Sequence, residues 1–246
     1  MTSHSDTSRL DKELVSRGLV QSRARAQVLI KEEGVLVNDI CVTESDALIK
    51  TEDHISLTKA DIPWVSRAGL KLEHALEYWY IDPKGKTVLD IGASTGGFTD
   101  VLLSRGAAKV YALDVGQGQL VEKLRNDPRV VNMEGTHIHD VSLGDFSSPI
   151  EMVVVDVSFI SLEKILPKVR ELLTEGVVIA LIKPQFEVGR ERINKGVVRD
   201  QELHKEVLSR IEGEAIRLGF VLEGMIESPI LGGDGNKEFL LCAKRS

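Results

Sequence analysis

The sequence is short of the residues and patterns that mark secreted, zinc-binding and membrane-spanning proteins. It contains two cysteines, Cys41 and Cys242, in 246 residues, which is too few for a disulfide framework or a cysteine-rich zinc site. No uncharged apolar stretch approaches the length that spans a bilayer, and the opening MTSHSD has no signal-peptide pattern. We therefore expect a protein of the reducing cytoplasm with neither a structural metal nor a membrane segment.

The chain also lacks internal repeats, low-complexity segments and an overall positive charge. Its formal net charge of −7 argues against a protein coated in basic surface. It does not exclude nucleic-acid binding, because local basic patches rather than net charge determine such a footprint. With 42% apolar and 28% charged residues, the composition is that of an ordinary globular protein, long enough for a small domain joined to a medium one.

The character of the chain changes near residues 61–66, which we interpret as a linker between domains at 1–60 and 67–246. Before this segment, residues 9–30 have the apolar spacing of two short helices separated at Gly18. The stretches VLVND and HISLT then have the composition of small strands. These features predict a compact α+β domain ahead of the linker.

Strands and helices alternate in the larger domain. An amphipathic helix, GLKLEHALEYWYI, is followed by the predicted strands TVLDIGA, KVYALDV, RVVNMEG, EMVVVDVS and GVVIALIK, with helical segments between most of them. Two last strands, FVLEGMIESP and KEFLLCAK, are separated only by ILGGDGN, which permits an antiparallel hairpin. The pattern predicts a doubly wound, Rossmann-like α/β sheet that ends in an antiparallel hairpin.

The first helices carry a local excess of positive charge. Residues 9–31 contain six lysines or arginines against Asp11 and Glu13. Arg23 and Arg25 follow Ser22, a predicted helix N-cap, and phosphates favour such a position because free backbone donors and guanidinium groups converge there. A solvated helix face is the alternative interpretation.

The segment RLDKELVSRGLVQSRARAQVLIKEEGVLVND resembles the S4 RNA-binding domain over its full length. The resemblance rests on the opening Arg9-Leu10-Asp11, on Ser22-Arg23, and on a glycine and valine ending that reaches Asn38. It implies binding of structured RNA, with Arg9, Arg23 and Arg25 as contacts. Arg67, just after the linker, is a further candidate for RNA binding or for capping the next helix.

A glycine-rich turn follows the first strand of the larger domain. In VLDIGASTGGFTD the predicted ligand contacts are Asp90, Gly92, Ala93, Ser94, Thr95, Gly96, Gly97 and Phe98. Glycines allow a sharp turn and close backbone approach to a ligand, although a tight strand-to-helix connection would need them too. Asp114 ends the next strand, where a carboxylate can bind two ribose hydroxyls. With Asp90 available to an ammonium group, an adenosine joined to an amino acid fits best, which is S-adenosylmethionine.

Four charged residues are predicted to lie at one edge of the sheet. Asp156 and Lys183 directly follow buried strands, Lys71 begins the amphipathic helix, and Glu238 opens the last strand. Ligands of open α/β sheets bind at the carboxyl ends of the parallel strands. A catalytic group and a buried ion-pair network without chemistry are both compatible with this quartet.

Residues 66–246 resemble S-adenosylmethionine-dependent methyltransferases of the FtsJ type, and the whole chain resembles the TlyA family, long labelled hemolysin A. The stretches VSRAGLKL, DIGASTGGFTD, DVSFISL, LIKPQFE and NKEFLL stand in the family's order. The resemblance implies methylation of a ribose 2′-hydroxyl at a cytidine of ribosomal RNA. It also implies that Lys71, Asp156, Lys183 and Glu238 form the catalytic tetrad, with Asp156 beside the methyl donor.

Within that tetrad Lys183 is our candidate for removing the hydroxyl proton, because a ribose hydroxyl is a poor nucleophile that must lose its proton as it is methylated. Two other classes of function remain open. One is an RNA-binding module without catalysis, which the S4 resemblance alone would explain. The other is a membrane-active protein, as the hemolysin label suggests, although we find no exposed amphipathic segment and no spanning segment for it.

Overall fold

The computed structural model describes residues 7–20, 22–57, 62–189, 196–232 and 235–245. The chain divides into two compact units, Met1–Pro63 and Trp64–Ser246. The predicted linker, 61–66, crosses this boundary, and its first residue lies outside the described residues. Three residues of the linker, 61–63, therefore belong to the first unit, and Trp64 to Ser66 belong to the second.

The described residues of the N-terminal unit form two helices and two small antiparallel sheets. Its elements are β1 (Thr7–Arg9), α1 (Leu10–Ser16), α2 (Arg23–Glu33), β2 (Val35–Val37), β3 (Ile40–Val42), β4 (Leu48–Lys50) and β5 (Ile55–Leu57). β1 pairs with β4, and β2 lies between β3 and β5. The buried core of this unit contains Leu10 and Leu14 of α1, Ile30 of α2 and Val35 of β2.

Local sequence explains the boundaries of these helices and the turn after β2. Gly18 has φ +68° in the break between the helices, a conformation that glycine adopts without strain. The predicted N-cap is confirmed, because Ser22 Oγ accepts a hydrogen bond from the backbone of Arg25. Asn38 and Asp39, at φ +50° and +65°, form the two-residue loop of the β2–β3 hairpin, and such loops favour Asn and Asp at positive φ.

The C-terminal unit contains one mixed sheet between two layers of helices. Its elements are α3 (Ala68–Tyr78), β6 (Thr87–Ile91), α4 (Gly97–Ser104), β7 (Lys109–Asp114), α5 (Glu122–Arg125), β8 (Val130–Glu134), β9 (Ile150–Val155), α6 (Leu162–Leu172), β10 (Leu173–Ile182), α7 (Pro184–Glu187), α8 (Gln201–Arg217), β11 (Val221–Glu227) and β12 (Phe239–Arg245). Within the described ranges, seven strands pair in the order β11-β12-β10-β9-β6-β7-β8.

Strand direction and side-chain alternation confirm the doubly wound fold. β10, β9, β6, β7 and β8 are parallel, whereas β12 is antiparallel to both β10 and β11. Alternate residues of β6 pack on opposite faces: Leu89 and Ile91 join a core with α6 and α8, and Val88 joins a core with α3 and α4. The predicted terminal hairpin is β11–β12, and it extends the sheet beyond β10.

Candidate active site

An open cavity of ≈ 400 Å³ lies at the carboxyl ends of β6, β7 and β9. This volume falls within the usual range for small-molecule sites. Four of the residues proposed from the sequence as cofactor contacts border it, namely Gly92, Ser94, Asp114 and Asp156. Much of the remaining wall is apolar and includes Val115, Ile138 and Ile160, so the cavity offers one polar side and one side suited to a flat apolar ring.

The glycine-rich turn after β6 is sterically closed to larger residues. Gly92 has φ +85°, and a Cβ atom there would lie 2.5 Å from the carbonyl oxygen of Asp156. Gly96 has φ +100°, and its Cβ would lie 2.2 Å from the Cδ1 atom of Leu124. The turn can therefore take its path only with glycine at these positions, and this path brings its backbone to the edge of the cavity.

Asp114 joins the glycine-rich turn to the loop that follows β7. Its Oδ2 atom accepts a hydrogen bond from the backbone nitrogen of Ser94 at 2.8 Å, and Oδ1 accepts one from Gly116 at 2.7 Å. A carboxylate oxygen has two lone-pair sites, so both oxygens can accept a second hydrogen bond. Two ribose hydroxyls would satisfy that remaining capacity.

Asp90, on β6, is a fully buried acid with an incomplete set of partners. Its Oδ2 atom accepts a hydrogen bond from the Thr99 hydroxyl at 2.6 Å, whereas Oδ1 has no hydrogen-bond partner among the described residues. Burial raises the pKa of Asp90 to about 7, against the opposing effect of the Thr99 hydrogen bond. Asp90 lies beneath the turn: its neighbours Ile91 and Gly92 line the larger cavity. A ligand ammonium, directly or through one water, would complete its hydrogen bonding.

The four predicted catalytic residues form two ion pairs. Lys183 Nζ lies 2.7 Å from Asp156 Oδ1 without the alignment of a hydrogen bond, and these side chains are 12% and 14% exposed. Lys71 Nζ donates to Glu238 Oε2 at 2.6 Å, and these side chains are 9% and 2% exposed. Such burial is unusual for charged side chains and depends on pairing.

Strand order explains why these residues lie along one edge. Asp156 directly follows β9 and Lys183 directly follows β10, two neighbouring parallel strands. Glu238 directly precedes β12, whose first residue Phe239 is paired with Ile182, the last residue of β10. Because β12 runs antiparallel, its start lies at the carboxyl edge of the parallel strands. The sequence had indicated that Glu238 opens the last strand. The structure instead places it one residue before that strand.

A second cavity of ≈ 320 Å³ adjoins the first at this edge. Its lining includes Ala93, Thr95, Gly97 and Phe98 of the glycine-rich segment, together with Ser66, Arg67, Ala68 and Lys183. Gly92, Ser94, Asp156 and Ser158 border both cavities. Lys183 borders the smaller cavity but not the larger one. A group bound in the larger cavity would thus meet a group bound in the smaller one beside Asp156.

An aromatic pair includes one ring that borders the larger cavity. Phe159 lines it, is 89% exposed and has φ +64°. Its ring centroid lies 4.8 Å from that of Phe186, and Lys183 Nζ lies 5.9 Å from the Phe186 centroid. A large exposed ring held in a strained backbone conformation is typical of a functional site, and such a ring can stack on an unpaired base.

The arginines proposed for RNA binding have distinct surroundings. In the N-terminal unit, Arg9 and Arg23 both donate to the carboxylate of Asp11 at 3.0 Å through their Nε atoms. Arg25 is half-buried in the first turn of α2. In the C-terminal unit, Arg67 precedes α3, borders the smaller cavity and donates to the carbonyl oxygen of Leu231 at 3.3 Å.

Sequence reasoning did not single out Ser158, a polar residue at the centre of this site. Ser158 borders both cavities, and its hydroxyl oxygen accepts a hydrogen bond from Lys183 Nζ at 2.9 Å. It lies in the DVSFISL stretch, two residues after Asp156, which was the only available signal. Among the described residues, no group of three or more histidine, cysteine or acidic side chains could hold a metal ion. No helix in the described part of the chain is long and apolar enough to cross a bilayer.

The parallel sheet, the glycine-rich turn after its first strand and the terminal antiparallel hairpin define the Rossmann-fold methyltransferase class. Family models match residues 64–245 as an FtsJ-like methyltransferase and residues 8–55 as an S4 domain. The chain belongs to the FtsJ-like methyltransferase family, in the group that carries an N-terminal S4 domain.

Individual relatives support this placement over nearly the whole chain. Hemolysin A of Brachyspira hyodysenteriae is 46% identical over 94% of this chain and 98% of its own. The 16S/23S rRNA (cytidine-2'-O)-methyltransferase TlyA of Mycobacterium tuberculosis is 42% identical over 95% of this chain and 88% of its own. A solved structure described as a hemolysin of Streptococcus thermophilus is 40% identical, with a TM-score of 0.78 over 98% of this chain and 90% of that one.

Proposed function

We propose that this protein is a cytoplasmic S-adenosylmethionine-dependent methyltransferase that acts on the ribose 2′-hydroxyl of ribosomal RNA. The observation that carries the proposal is the meeting of two cavities at Asp156, with the ion-paired Lys183 on the wall of the smaller one. The names of the relatives favour a cytidine as the target. The S4 domain in front of the methyltransferase domain supports RNA as the substrate.

The larger cavity and its surroundings offer a partner for the ribose, the adenine ring and the ammonium group of S-adenosylmethionine. Asp114 has hydrogen-bonding capacity left for ribose hydroxyls, and the apolar side beside Val115 and Ile138 suits an adenine ring. The unpaired oxygen of Asp90 suits the ammonium of the amino-acid end. When bound, the cofactor supplies a methyl group that its sulfonium already activates for transfer.

The chain's own task is to place the ribose hydroxyl in line with that methyl group and to take its proton. We assign proton removal to Lys183 in its neutral form, because it alone of the tetrad borders the smaller cavity with a basic nitrogen. Asp156 holds Lys183 through their ion pair, and Glu238 holds Lys71.

The Phe159–Phe186 pair provides a surface for the target base. A ribose inside the smaller cavity requires a nucleotide that has left its helical stack, and aromatic faces commonly hold such bases. Phe159 is exposed beside the cavity and Phe186 is three residues beyond Lys183. The arginines held by Asp11 in the N-terminal unit would contact the phosphates of folded RNA.

The proposal is tested by incubating the purified protein with ribosomal subunits and radiolabelled S-adenosylmethionine, and by mapping the modified nucleotide. We expect label in ribosomal RNA as a 2′-O-methylcytidine, which resists alkaline hydrolysis at its 3′ side. Lys183→Ala should abolish transfer and leave cofactor binding within about twofold. Lys205→Ala is the matched control, since Lys205 is an exposed lysine on α8 that pairs with Glu202.

Three other outcomes would overturn parts of the proposal. If the unaltered protein labels no RNA yet binds it, the protein is an RNA-binding module without this activity. If Lys183→Ala retains turnover, the proton acceptor is a different group. If the pure protein releases dye from lipid vesicles and labels no RNA, the membrane-active interpretation is correct.

A further inference from the structure

We propose that Ser158 is a positioning residue that orients the amine of Lys183 for proton removal. The inference rests on the proposed function and adds a fifth residue to the four charged ones. Its basis is a direct contact: Lys183 Nζ donates a hydrogen bond to Ser158 Oγ at 2.9 Å. Ser158 also borders both cavities, so this contact lies where the methyl donor and the ribose hydroxyl would meet.

The geometry of an amine explains why a neutral acceptor is needed beside Asp156. A lysine side chain is flexible, and its nitrogen rotates freely unless its N–H groups are held. A neutral amine has two N–H groups and one lone pair. Ser158 Oγ accepts one of these N–H groups at 2.9 Å, and the ion pair with Asp156 Oδ1, at 2.7 Å, fixes the position of the nitrogen. With that N–H group held, the lone pair can be directed toward the smaller cavity. The ribose O–H proton then passes to that lone pair as the oxygen–methyl bond forms and the methyl–sulfur bond breaks.

The loop that carries Ser158 is fixed to the segment that carries Lys183 at a second place. Glu187, which ends α7, accepts hydrogen bonds from the Ser161 hydroxyl at 2.6 Å and from the backbone of Leu162 at 2.9 Å. Ser161 is itself the N-cap of α6. These contacts hold the two segments together without involving Ser158 or Lys183. The hydrogen bond between Ser158 and Lys183 therefore needs no further ordering of the backbone.

Ser158→Ala and Ser158→Thr separate this role from that of a simple cavity wall. With saturating S-adenosylmethionine and ribosomal subunits, we expect Ser158→Ala to lower kcat about tenfold or more, because a misplaced reacting group typically has effects of this size. The Kd for S-adenosylmethionine and the KM for RNA should stay within about twofold. Ser158→Thr keeps the hydroxyl and should recover at least half of the turnover. Ser142→Ala, at an exposed serine, is the matched control.

Two results would overturn the role of Ser158. One is a kcat for Ser158→Ala within twofold of the unaltered protein, or a loss that weaker cofactor binding explains fully. The other is a threonine variant as slow as the alanine variant while its melting temperature is unchanged. Failure of the proposed function gives a different pattern, because the unaltered protein would then label no RNA, or Lys183→Ala would be as active as the unaltered protein.

Discussion

Asp11 in the N-terminal unit and Asp90 in the C-terminal unit are both aspartates without exposed surface, yet their surroundings are opposite. The Asp11 carboxylate accepts hydrogen bonds from Arg9, from Arg23 and from Gln27. These contacts, with the Arg9 hydrogen bond first among them, hold the pKa of Asp11 well below its usual range, although burial alone would raise it.

Asp90 has the opposite balance between burial and pairing. Only its Oδ2 atom accepts a hydrogen bond from a described side chain, that of Thr99, and burial raises its pKa to about 7. A buried carboxylate costs free energy unless it is paired and hydrogen-bonded. The chain meets this requirement itself at Asp11 and leaves it incomplete at Asp90. We infer that Asp11 serves to orient two arginines, whereas the second oxygen of Asp90, which has no partner among the described residues, would pair with a cationic ligand.

Removal of the Asp90 charge should give the largest effect. Asp90→Asn keeps the shape of the side chain and can still contact Thr99, but it cannot compensate an ammonium. Hydrogen bonds to charged groups contribute more than neutral ones. We therefore expect affinity for S-adenosylmethionine to fall about a hundredfold, which corresponds to about 2.7 kcal/mol, as measured by isothermal titration calorimetry.

RNA binding provides an internal check on Asp90→Asn. The substitution lies in the C-terminal unit, so the RNA affinity of the N-terminal unit should not change. Asp145→Asn, at an exposed aspartate that contacts Ser142, is the matched control and should bind the cofactor normally. Equal cofactor affinity of Asp90→Asn and the unaltered protein would mean that the free oxygen of Asp90 has no ligand partner, and the contrast with Asp11 would lose its functional meaning.

The pH dependence of stability should show the second largest effect. The pKa of Asp90 is raised in the folded state from an ordinary value of 3.8 to about 7, so the folded state binds the extra proton between these values. Its contribution to stability is therefore greatest at low pH and is lost as pH rises toward 7. Relative to Asp90→Asn, the unaltered protein should lose about 2 kcal/mol of unfolding free energy between pH 5 and pH 7.

Urea unfolding followed by tryptophan fluorescence can measure this difference in one unit, because both tryptophans, Trp64 and Trp79, lie in the C-terminal unit. Unfolding curves of the two proteins that shift in parallel with pH would contradict a raised pKa at Asp90. The comparison must be made without cofactor, since a bound ammonium would favour the ionised carboxylate and reverse the trend.

The sequence was sufficient for the larger sheet because its strands are long apolar runs that end in turns. The rule that ligands lie at the carboxyl ends of parallel strands was enough to bring Asp156 and Lys183 together. It was not enough for the Lys71–Glu238 pair. That contact depends on β12 lying directly beside β10, and a hairpin pattern does not specify which of its strands joins the sheet.

Shorter features were beyond sequence reasoning for a different reason. β1, β3 and β4 have three residues each, too few for an alternation of apolar and polar residues to be recognised. Ser158 resembles any loop serine in the sequence, and only its contact with Lys183 distinguishes it. Likewise, Asp11 reads as one of two anions in a basic helical region, and its burial beneath two arginines is a property of the packed unit.

Asp11→Asn should affect RNA binding and leave cofactor binding unchanged. The amide cannot hold both guanidinium groups, so Arg9 and Arg23 would lose their fixed orientation. We expect affinity for a ribosomal RNA fragment, measured by filter binding at fixed salt, to fall about tenfold, because oriented charge-assisted contacts to phosphate are the ones lost. Unchanged or tighter binding by a folded variant would show that Asp11 does not present these arginines to RNA.

Gln27→Ala should have the smallest effect and distinguishes orientation from general destabilisation. Gln27 donates to Asp11 Oδ2 at 2.8 Å, and its loss removes one neutral donor while both arginines keep their contacts with Asp11. We expect a loss of about 1 kcal/mol in unfolding free energy and an RNA affinity within twofold of the unaltered protein. If Gln27→Ala instead weakened RNA binding as much as Asp11→Asn does, loosening of the whole unit would account for both variants. If Asp11→Asn weakens RNA binding and Gln27→Ala does not, the loss of affinity is due to the arginines that Asp11 holds.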